Sequence, residues 1–322
     1  MNQLKEEIKT VAVIGTGVIG NGWIARFLAN GHDVIAYDPA PGAEEKTRQA
    51  VELAWTSLLK IGLAPGASVD RLQFVSTIEE AVKEADLIQE NVPEREELKK
   101  NVLASIDYYA NPEAIIGSST SGIMPSRLQK DLKHPERLIV AHPFNPVYIL
   151  PLVELVGGQL TESSVIERAS RFYQSVQMKP LVVRKEIEGH LADRLMEALW
   201  REALHLVNDG IATTEEVDAA IVYGAGLRWA QMGPFLTFHL AGGNAGMRHM
   251  LEQFGPALKQ PWTKLEAPEL TDELKEKVIE GCETHAGDSS VADLENKRNE
   301  FLVKVLELAE EYWPATNSVS KI

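Results

Sequence analysis

An α/β domain followed by an all-helical domain is the fold class that the sequence predicts, and three observations carry that prediction. From Val11 to about Arg184, short β-rich apolar runs alternate with longer helical stretches, the pattern of a parallel sheet covered on both faces. After Arg184 the strand signals stop and apolar residues recur at helical spacing. A chain of 322 residues also exceeds the usual single domain of roughly 100–200 residues. Two domains are therefore expected, residues 1–185 and 186–322, with the boundary near 185.

The candidate strands, in order, are Val11–Gly15, Asp33–Tyr37, Gln73–Ser76, Leu87–Gln89, Ala114–Gly117, Leu138–Ala141, Pro151–Val156 and Pro180–Val183. Helices fill most of the gaps, with Val18–Asn30, Ala43–Ile61 and Thr161–Val176 the clearest. In the second half, His190–Asp209 repeats Leu191, Leu195, Leu199, Ala203 and Leu206 on one face and ends before Gly210, where a helix-terminating glycine belongs. Further helices are expected at Thr214–Ile221, Pro234–Leu240, Gly246–Phe254, Asp272–Thr284 and Ser289–Tyr312.

Charge narrows the function classes. The formal net charge is −15, which opposes binding to nucleic acid or to an anionic membrane, since both require clustered Lys and Arg. Much of the excess lies in Glu266–Glu311, with 14 Asp/Glu against 5 Lys/Arg, as expected of solvated helix faces. Cys282 is the only cysteine, so neither an intrachain disulfide nor a cysteine metal cage is expected, and no metal is called for. The charged start Lys5-Glu6-Glu7 and the lack of about 18 uninterrupted apolar residues argue against a leader or a membrane span. A cytoplasmic location is the expectation.

The first strand runs into Gly15-Thr16-Gly17-Val18-Ile19-Gly20, a G-x-G-x-x-G opening a helix. Gly15 suits the tight turn, Gly17 lets the backbone approach a pyrophosphate, and Gly20 permits close packing of helix on strand. A second strand ends at Asp38, 18 residues after Gly20, where a carboxylate can accept hydrogen bonds from both ribose hydroxyls and repel a 2′-phosphate. The N-terminal domain is thus read as a Rossmann-type dinucleotide-binding domain, with NAD as the cofactor.

Ser121, His142 and Glu154 are the catalytic candidates. His142 follows the strand Leu138–Ala141 and should project from the carboxyl edge of the sheet, where open α/β folds place ligands. An imidazole there can take a proton from a substrate hydroxyl as hydride leaves the carbon. Glu154 in the next strand can hold the other ring nitrogen, and Ser121 can hydrogen-bond the reacting oxygen. From spacing alone, a capping Ser, a loop His and a paired Glu are equally good descriptions.

Ser118-Ser119-Thr120-Ser121-Gly122, His142-Pro143-Phe144-Asn145-Pro146 and Leu152-Val153-Glu154-Leu155-Val156 resemble, in order and spacing, the 3-hydroxyacyl-CoA dehydrogenase family. The resemblance covers nearly the whole chain. It implies that Ser121 contacts the substrate hydroxyl, that His142 is the general base and that Glu154 orients it. It further implies that Glu90, Arg95 and Asn145 lie along the cofactor, although Arg95 stands where the family commonly has Lys; a charged helix start with ordinary capping is the alternative. The family dimerises through its helical domain, which implies a homodimer.

Departures from the family pattern bear on substrate. Asp193, within Glu188-Gly189-His190-Leu191-Ala192-Asp193-Arg194, stands where acyl-CoA members usually have Asn. Its charge suits a cationic substrate, unless it is only an exposed acid beside Arg194. The segment Ala43–Ser68 lacks the Lys-rich character suited to CoA phosphates, which argues against a CoA thioester. The run from Gly224 through His239 resembles the branch acting on small free hydroxy acids, and the stretch to Pro256 is similar to its carnitine-oxidising members. The small-molecule substrate expected is therefore a zwitterionic 3-hydroxy acid, L-carnitine, oxidised to 3-dehydrocarnitine in a cleft between the domains. Phe144, Trp229 and Phe254 supply aromatic faces for a trimethylammonium group, with Tyr148 and Trp262 as further material, and Arg228 can clamp the carboxylate. Core packing is the ordinary role of most such aromatics. L-Gulonate and 3-hydroxybutyryl-CoA are the competing substrates, and an NAD-binding structural protein of crystallin type is the non-enzymatic alternative. The retention of Ser121, His142 and Glu154 together speaks against the latter.

Overall fold

A computed structural model describes residues 8–230, 232–242, 244, 246–256, 260–264, 269, 271–274, 288 and 291–312. The chain divides into two compact units, Met1–Arg194 and Leu195–Ile322.

The first unit is built on eight strands: β1 (Thr10–Ile14), β2 (Asp33–Tyr37), β3 (Leu72–Phe74), β4 (Leu87–Glu90), β5 (Ile115–Ser118), β6 (Leu138–Pro143), β7 (Leu152–Gly157) and β8 (Lys179–Val183). Their order in one sheet is β3-β2-β1-β4-β5-β6-β7-β8, with the reversal at β1 and β4 that opens a ligand crevice at the carboxyl edge. Side-chain alternation assigns the two faces. Val11 and Val13 of β1 enter one buried cluster with helices α1 (Val18–Ala29), α2 (Ala43–Ile61) and α6 (Ser163–Ser175). Ala12 and Ile14 enter the other, with α3 (Ile78–Val82), α4 (Glu96–Tyr109) and α5 (Pro125–Gln129). This period of two within each strand is what a sheet buried on both faces requires.

The expectation of an all-parallel sheet needs correction. β7 pairs antiparallel to β6, and β8 then runs parallel to β7. The connection from β6 to β7 holds no helix, and a short link of this kind can only return antiparallel, because a parallel return needs a crossover of a dozen or more residues. β6 also runs on through His142 to Pro143 rather than ending at Ala141.

Aromatic packing locks α1 against α6. Trp23 stacks on Phe27 at 5.2 Å between ring centroids, and Tyr173 lies 5.4 Å from Trp23. Such pairs contribute about 1 kcal/mol each beyond their buried area. Arg26 of α1 is buried and donates to the carbonyl oxygens of Val147 and Leu150. Its burial brings the guanidinium pKa down to about 10. It ties α1 to the loop that follows Phe144 and Asn145.

Every described residue of the second unit with regular structure is helical. α7 (Ala192–Asn208), which begins at the end of the first unit, is followed by α8 (Thr214–Ala220), a π turn over Ile221–Ala225, α9 (Gly226–Trp229), α10 (Pro234–Ala241), α11 (Gly246–Phe254) and α12 (Val291–Tyr312). Thr213 and Glu216 form a reciprocal cap on α8. Within this unit Leu204, Val207, Leu274 and Val303 are buried, whereas Tyr223, Phe235 and Trp262 are 81%, 83% and 74% exposed. No helix among the described residues is long and apolar enough to cross a membrane. Most of the helix expected at Asp272–Thr284, Cys282, and part of the acidic stretch Glu266–Glu311 lie outside the described residues.

Candidate active site

The glycine loop has the shape that its residues predict. Gly15 has φ 89°, and a Cβ there would sit 2.9 Å from the Asn91 carbonyl. A Cβ on Gly20 would lie 2.0 Å from the Gly15 oxygen, while one on Gly17 meets no atom within 4 Å. Close packing therefore demands glycine at 15 and 20, and the backbone at 17 stands open in front of the N-terminus of α1, where Val18 is 71% exposed. A pyrophosphate fits this opening. Asp38, just past β2, accepts the Thr16 amide on Oδ2 at 2.8 Å and the Ala40 amide on Oδ1 at 2.9 Å. Each oxygen keeps acceptor capacity for a ribose hydroxyl. Asp38 lines a groove of about 860 Å³ with Tyr37, Glu44, Glu45 and Arg48. Arg48 is tied to Glu44 at 2.8 Å, so the groove offers a 2′-phosphate little compensation for the acids around it.

Of the remaining cofactor candidates, Arg95 and Asn145 are exposed on the loops after β4 and β6. Glu90 is differently placed. Its side chain is fully buried, ion-paired to the equally buried Lys99 at 3.0 Å, and accepts from the Ser118 hydroxyl and the Val92 amide. Its carboxylate is a buried anchor of the β4–α4 loop rather than a group facing solvent.

His142 and Glu154 come together through strand pairing. They are directly opposed in the antiparallel β6–β7 ladder, a register that holds facing side chains within contact. His142 Nδ1 lies 3.0 Å from Glu154 Oε2. The other carboxylate oxygen, Oε1, accepts the Leu191 and Ala192 amides at 2.9 and 3.0 Å, at the start of α7. Burial alone would raise the Glu154 pKa. The hydrogen bonds from His142 and from the two amides outweigh it and hold the carboxyl below its ordinary range. An ionised Glu154 accepts the Nδ1 proton and leaves Nε2 as the ring's free lone pair.

Asp193 adds a second carboxylate. Its Oδ2 stands 3.6 Å from His142 Nε2, and its side chain is 17% exposed. A proton gained at Nε2 therefore meets negative charge on both sides of the ring. Phe144 packs edge-on against His142 at 5.4 Å. Ser121 is exposed on the loop after β5, where Glu94 Oε1 accepts its amide, the Gly122 amide and the Thr120 hydroxyl.

One residue here escaped the sequence reading. His190 is wholly buried, its ring 5.6 Å from that of His142, and its Nε2 lies 3.2 Å from the Thr120 carbonyl. The helix expected from His190 begins only at Ala192, and Gly189 and His190 form a turn with φ 72° and 44°. The Gly-His pair ahead of the apolar periodicity was the signal available. Arg228, Trp229 and Phe254 stand on α9 and α11 of the second unit, all three exposed, as is Trp262 in the stretch 260–264.

Comparison with known proteins adds to this geometry. The model of the 3-hydroxyacyl-CoA dehydrogenase NAD-binding domain matches residues 10–187, and that of the C-terminal domain of the same family matches 189–282. An L-carnitine dehydrogenase of Oceanobacillus iheyensis is 74% identical over 307 residues, covering 95% of this chain and all of that protein. One from Bacillus cereus is 63% identical over 321 residues, covering 100% of this chain and 98% of its own. One from Pseudomonas putida is 61% identical, covering 94% of each. Among solved structures, a 5-formyl-3-hydroxy-2-methylpyridine 4-carboxylic acid 5-dehydrogenase superposes with TM-score 0.80 at 30% identity, covering 94% of this chain and 99% of that one. The (S)-3-hydroxybutyryl-CoA dehydrogenase of Ralstonia eutropha gives 0.65 at 25% identity, covering 85% and 95%.

Proposed function

The chain belongs to the 3-hydroxyacyl-CoA dehydrogenase family, and on that premise we propose that it oxidises the 3-hydroxyl of L-carnitine to 3-dehydrocarnitine. Its relatives over nearly the whole length carry the name of that activity. The observation that carries the substrate reading is Asp193, whose carboxylate faces the His142 nitrogen that must meet the reacting hydroxyl. In carnitine the quaternary nitrogen is separated from the carbinol carbon by one methylene, so a base at the hydroxyl and a counter-charge for the cation belong side by side.

NAD, when bound, supplies the hydride acceptor; the glycine loop and Asp38 would hold its pyrophosphate and ribose, with Arg95 and Asn145 along it. His142 takes the hydroxyl proton on Nε2. Glu154, fixed by the Leu191 and Ala192 amides, keeps the ring in the accepting tautomer and stabilises the imidazolium. Ser121 hydrogen-bonds the reacting oxygen. Phe144 and Asp193 receive the trimethylammonium group, which has no N–H and so is bound by charge and aromatic faces. Arg228, exposed and without an ion pair among the described residues, is suited to the substrate carboxylate, with Trp229 and Phe254 as further apolar surface. We place the division between cofactor and substrate domains near residue 185. A homodimer is the assembly that we assign to it, and the individually exposed Tyr223, Phe235 and Trp262 are apolar side chains available to such an interface. A soluble cytoplasmic enzyme is the setting that we assign to it.

NADH formation from NAD with L-carnitine, D-carnitine, L-gulonate and 3-hydroxybutyryl-CoA, run side by side, tests the reading. Turnover of L-carnitine above the other three is the expected result; turnover of the CoA thioester alone overturns it.

A further inference from the structure

His190 costs the fold something that a simple core residue would not. A non-glycine residue at φ 44° sits in a sparsely populated region. The Thr120 carbonyl can only accept, so the Nε2 at 3.2 Å must carry the ring proton. That leaves Nδ1 as a bare acceptor, and it is buried with no hydrogen-bond partner among the described residues. An apolar ring of similar volume would leave no such orphan. The one thing that the imidazole supplies is its Nε2–H, and that bond reaches a particular place. Thr120 is gripped on one side by Glu94, through its hydroxyl, and on the other by His190, through its carbonyl. Ser121 is the next residue, and its own amide also rests on Glu94. On the other side, His190 immediately precedes the Leu191 and Ala192 amides that hold Glu154.

We propose that His190 is a positioning residue that sets the Ser121 loop against the His142–Glu154 pair by pinning the Thr120 carbonyl. One turn, Gly189–Asp193, thereby fixes both the residue that contacts the substrate oxygen and the carboxylate that orients the base. The inference rests on the roles given above to Ser121 and His142.

Two neutral amides separate the hydrogen bond from everything else. In H190Q the amide nitrogen takes the place of Nε2 and keeps a donor for Thr120; in H190N, which suits the positive φ better, the amide is too short to reach. Losing one buried hydrogen bond corresponds to about a tenfold effect. H190N should lower kcat for L-carnitine by about that factor, with NADH binding unchanged, while H190Q stays within about threefold. In an S121A background H190N should add no further loss, because it acts through Ser121. Amide hydrogen exchange at Ser121 and Gly122 should quicken about tenfold in H190N and not in H190Q. That readout needs no substrate, so it separates failure of this inference from failure of the carnitine reading. Equal behaviour of H190N and H190Q, or a full additional loss in the S121A background, overturns the proposal.

Discussion

Replacing Glu154 with Gln tests how the base is built, because the neighbouring amides dictate which way the new side chain must face. Leu191 and Ala192 both donate to Oε1, at 2.9 and 3.0 Å. Two donors need an acceptor there, so the amide oxygen of Gln takes that place and its NH₂ turns toward His142 Nδ1. A donor at Nδ1 selects the tautomer protonated at Nε2, which leaves no lone pair for the substrate proton. The charge that supports the imidazolium is lost as well. With Nδ1 and Oε2 3.0 Å apart and the charge centres somewhat further, the pair interacts by about 4 kcal/mol at an effective dielectric constant near 20. At about 1.4 kcal/mol per decade this corresponds to about a thousandfold in rate. Steady-state NADH formation from L-carnitine should fall by about that factor in E154Q, while NADH binding, followed by its fluorescence, stays as in the wild type. A loss of less than about tenfold would refute the argument that Glu154 sets both tautomer and charge.

Asp193→Asn keeps a polar group beside His142 and removes the counter-charge. KM for L-carnitine should rise about tenfold, while an uncharged 3-hydroxy acid is affected less, and equal losses for both substrates would argue that Asp193 does not read the cation. Asp38→Ala removes two acceptors from the ribose region together with the charge that repels a 2′-phosphate. NAD affinity should fall by about 2 kcal/mol and the preference for NAD over NADP should narrow; an unchanged ratio of kcat/KM for the two cofactors contradicts the assignment. Two titrations have opposite origins and one direction. The Glu154 carboxyl is held below its ordinary 4.5, so its contribution to stability is complete above that pH and is lost as pH falls through the folded value. Burial pushes His190 below its ordinary 6.5, with the Thr120 carbonyl and the nearby Glu154 and Asp193 opposing and His142 assisting; the unfolded chain takes up that proton first, so stability declines as pH drops below about 6.5. Thermal melts should show H190N with a shallower decline than the wild type as pH falls below about 6.5, and E154Q with a shallower decline below about pH 4.5.

Much of the first unit was legible because its signals are local. Gly15, Gly17, Gly20 and Asp38 sit at fixed offsets from two apolar strands, and the crowding around Gly15 and Gly20 explains why those positions read as glycine. The direction of β7 was not legible, since periodicity reports which face a residue occupies and not which way its strand runs. Yet that direction is what sets His142 against Glu154. The setting of Glu90 was hidden in another way. The family resemblance implies its place along the cofactor, and only the fold shows that Lys99, nine residues later, returns to neutralise it. His190 was hidden by helix periodicity that began one residue after it and by a hydrogen bond spanning 70 positions. The aromatic residues of the second unit resist assignment for a third reason: an exposed Phe235 or Trp262 looks alike in sequence to one that packs in a core.

One proton, on His142, and one substrate, L-carnitine, are reached by a single comparison. NADH formation from NAD and L-carnitine should be rapid in the wild type and abolished in H142A, with NADH binding by the variant unchanged. Near-normal turnover of L-carnitine by H142A would contradict the account.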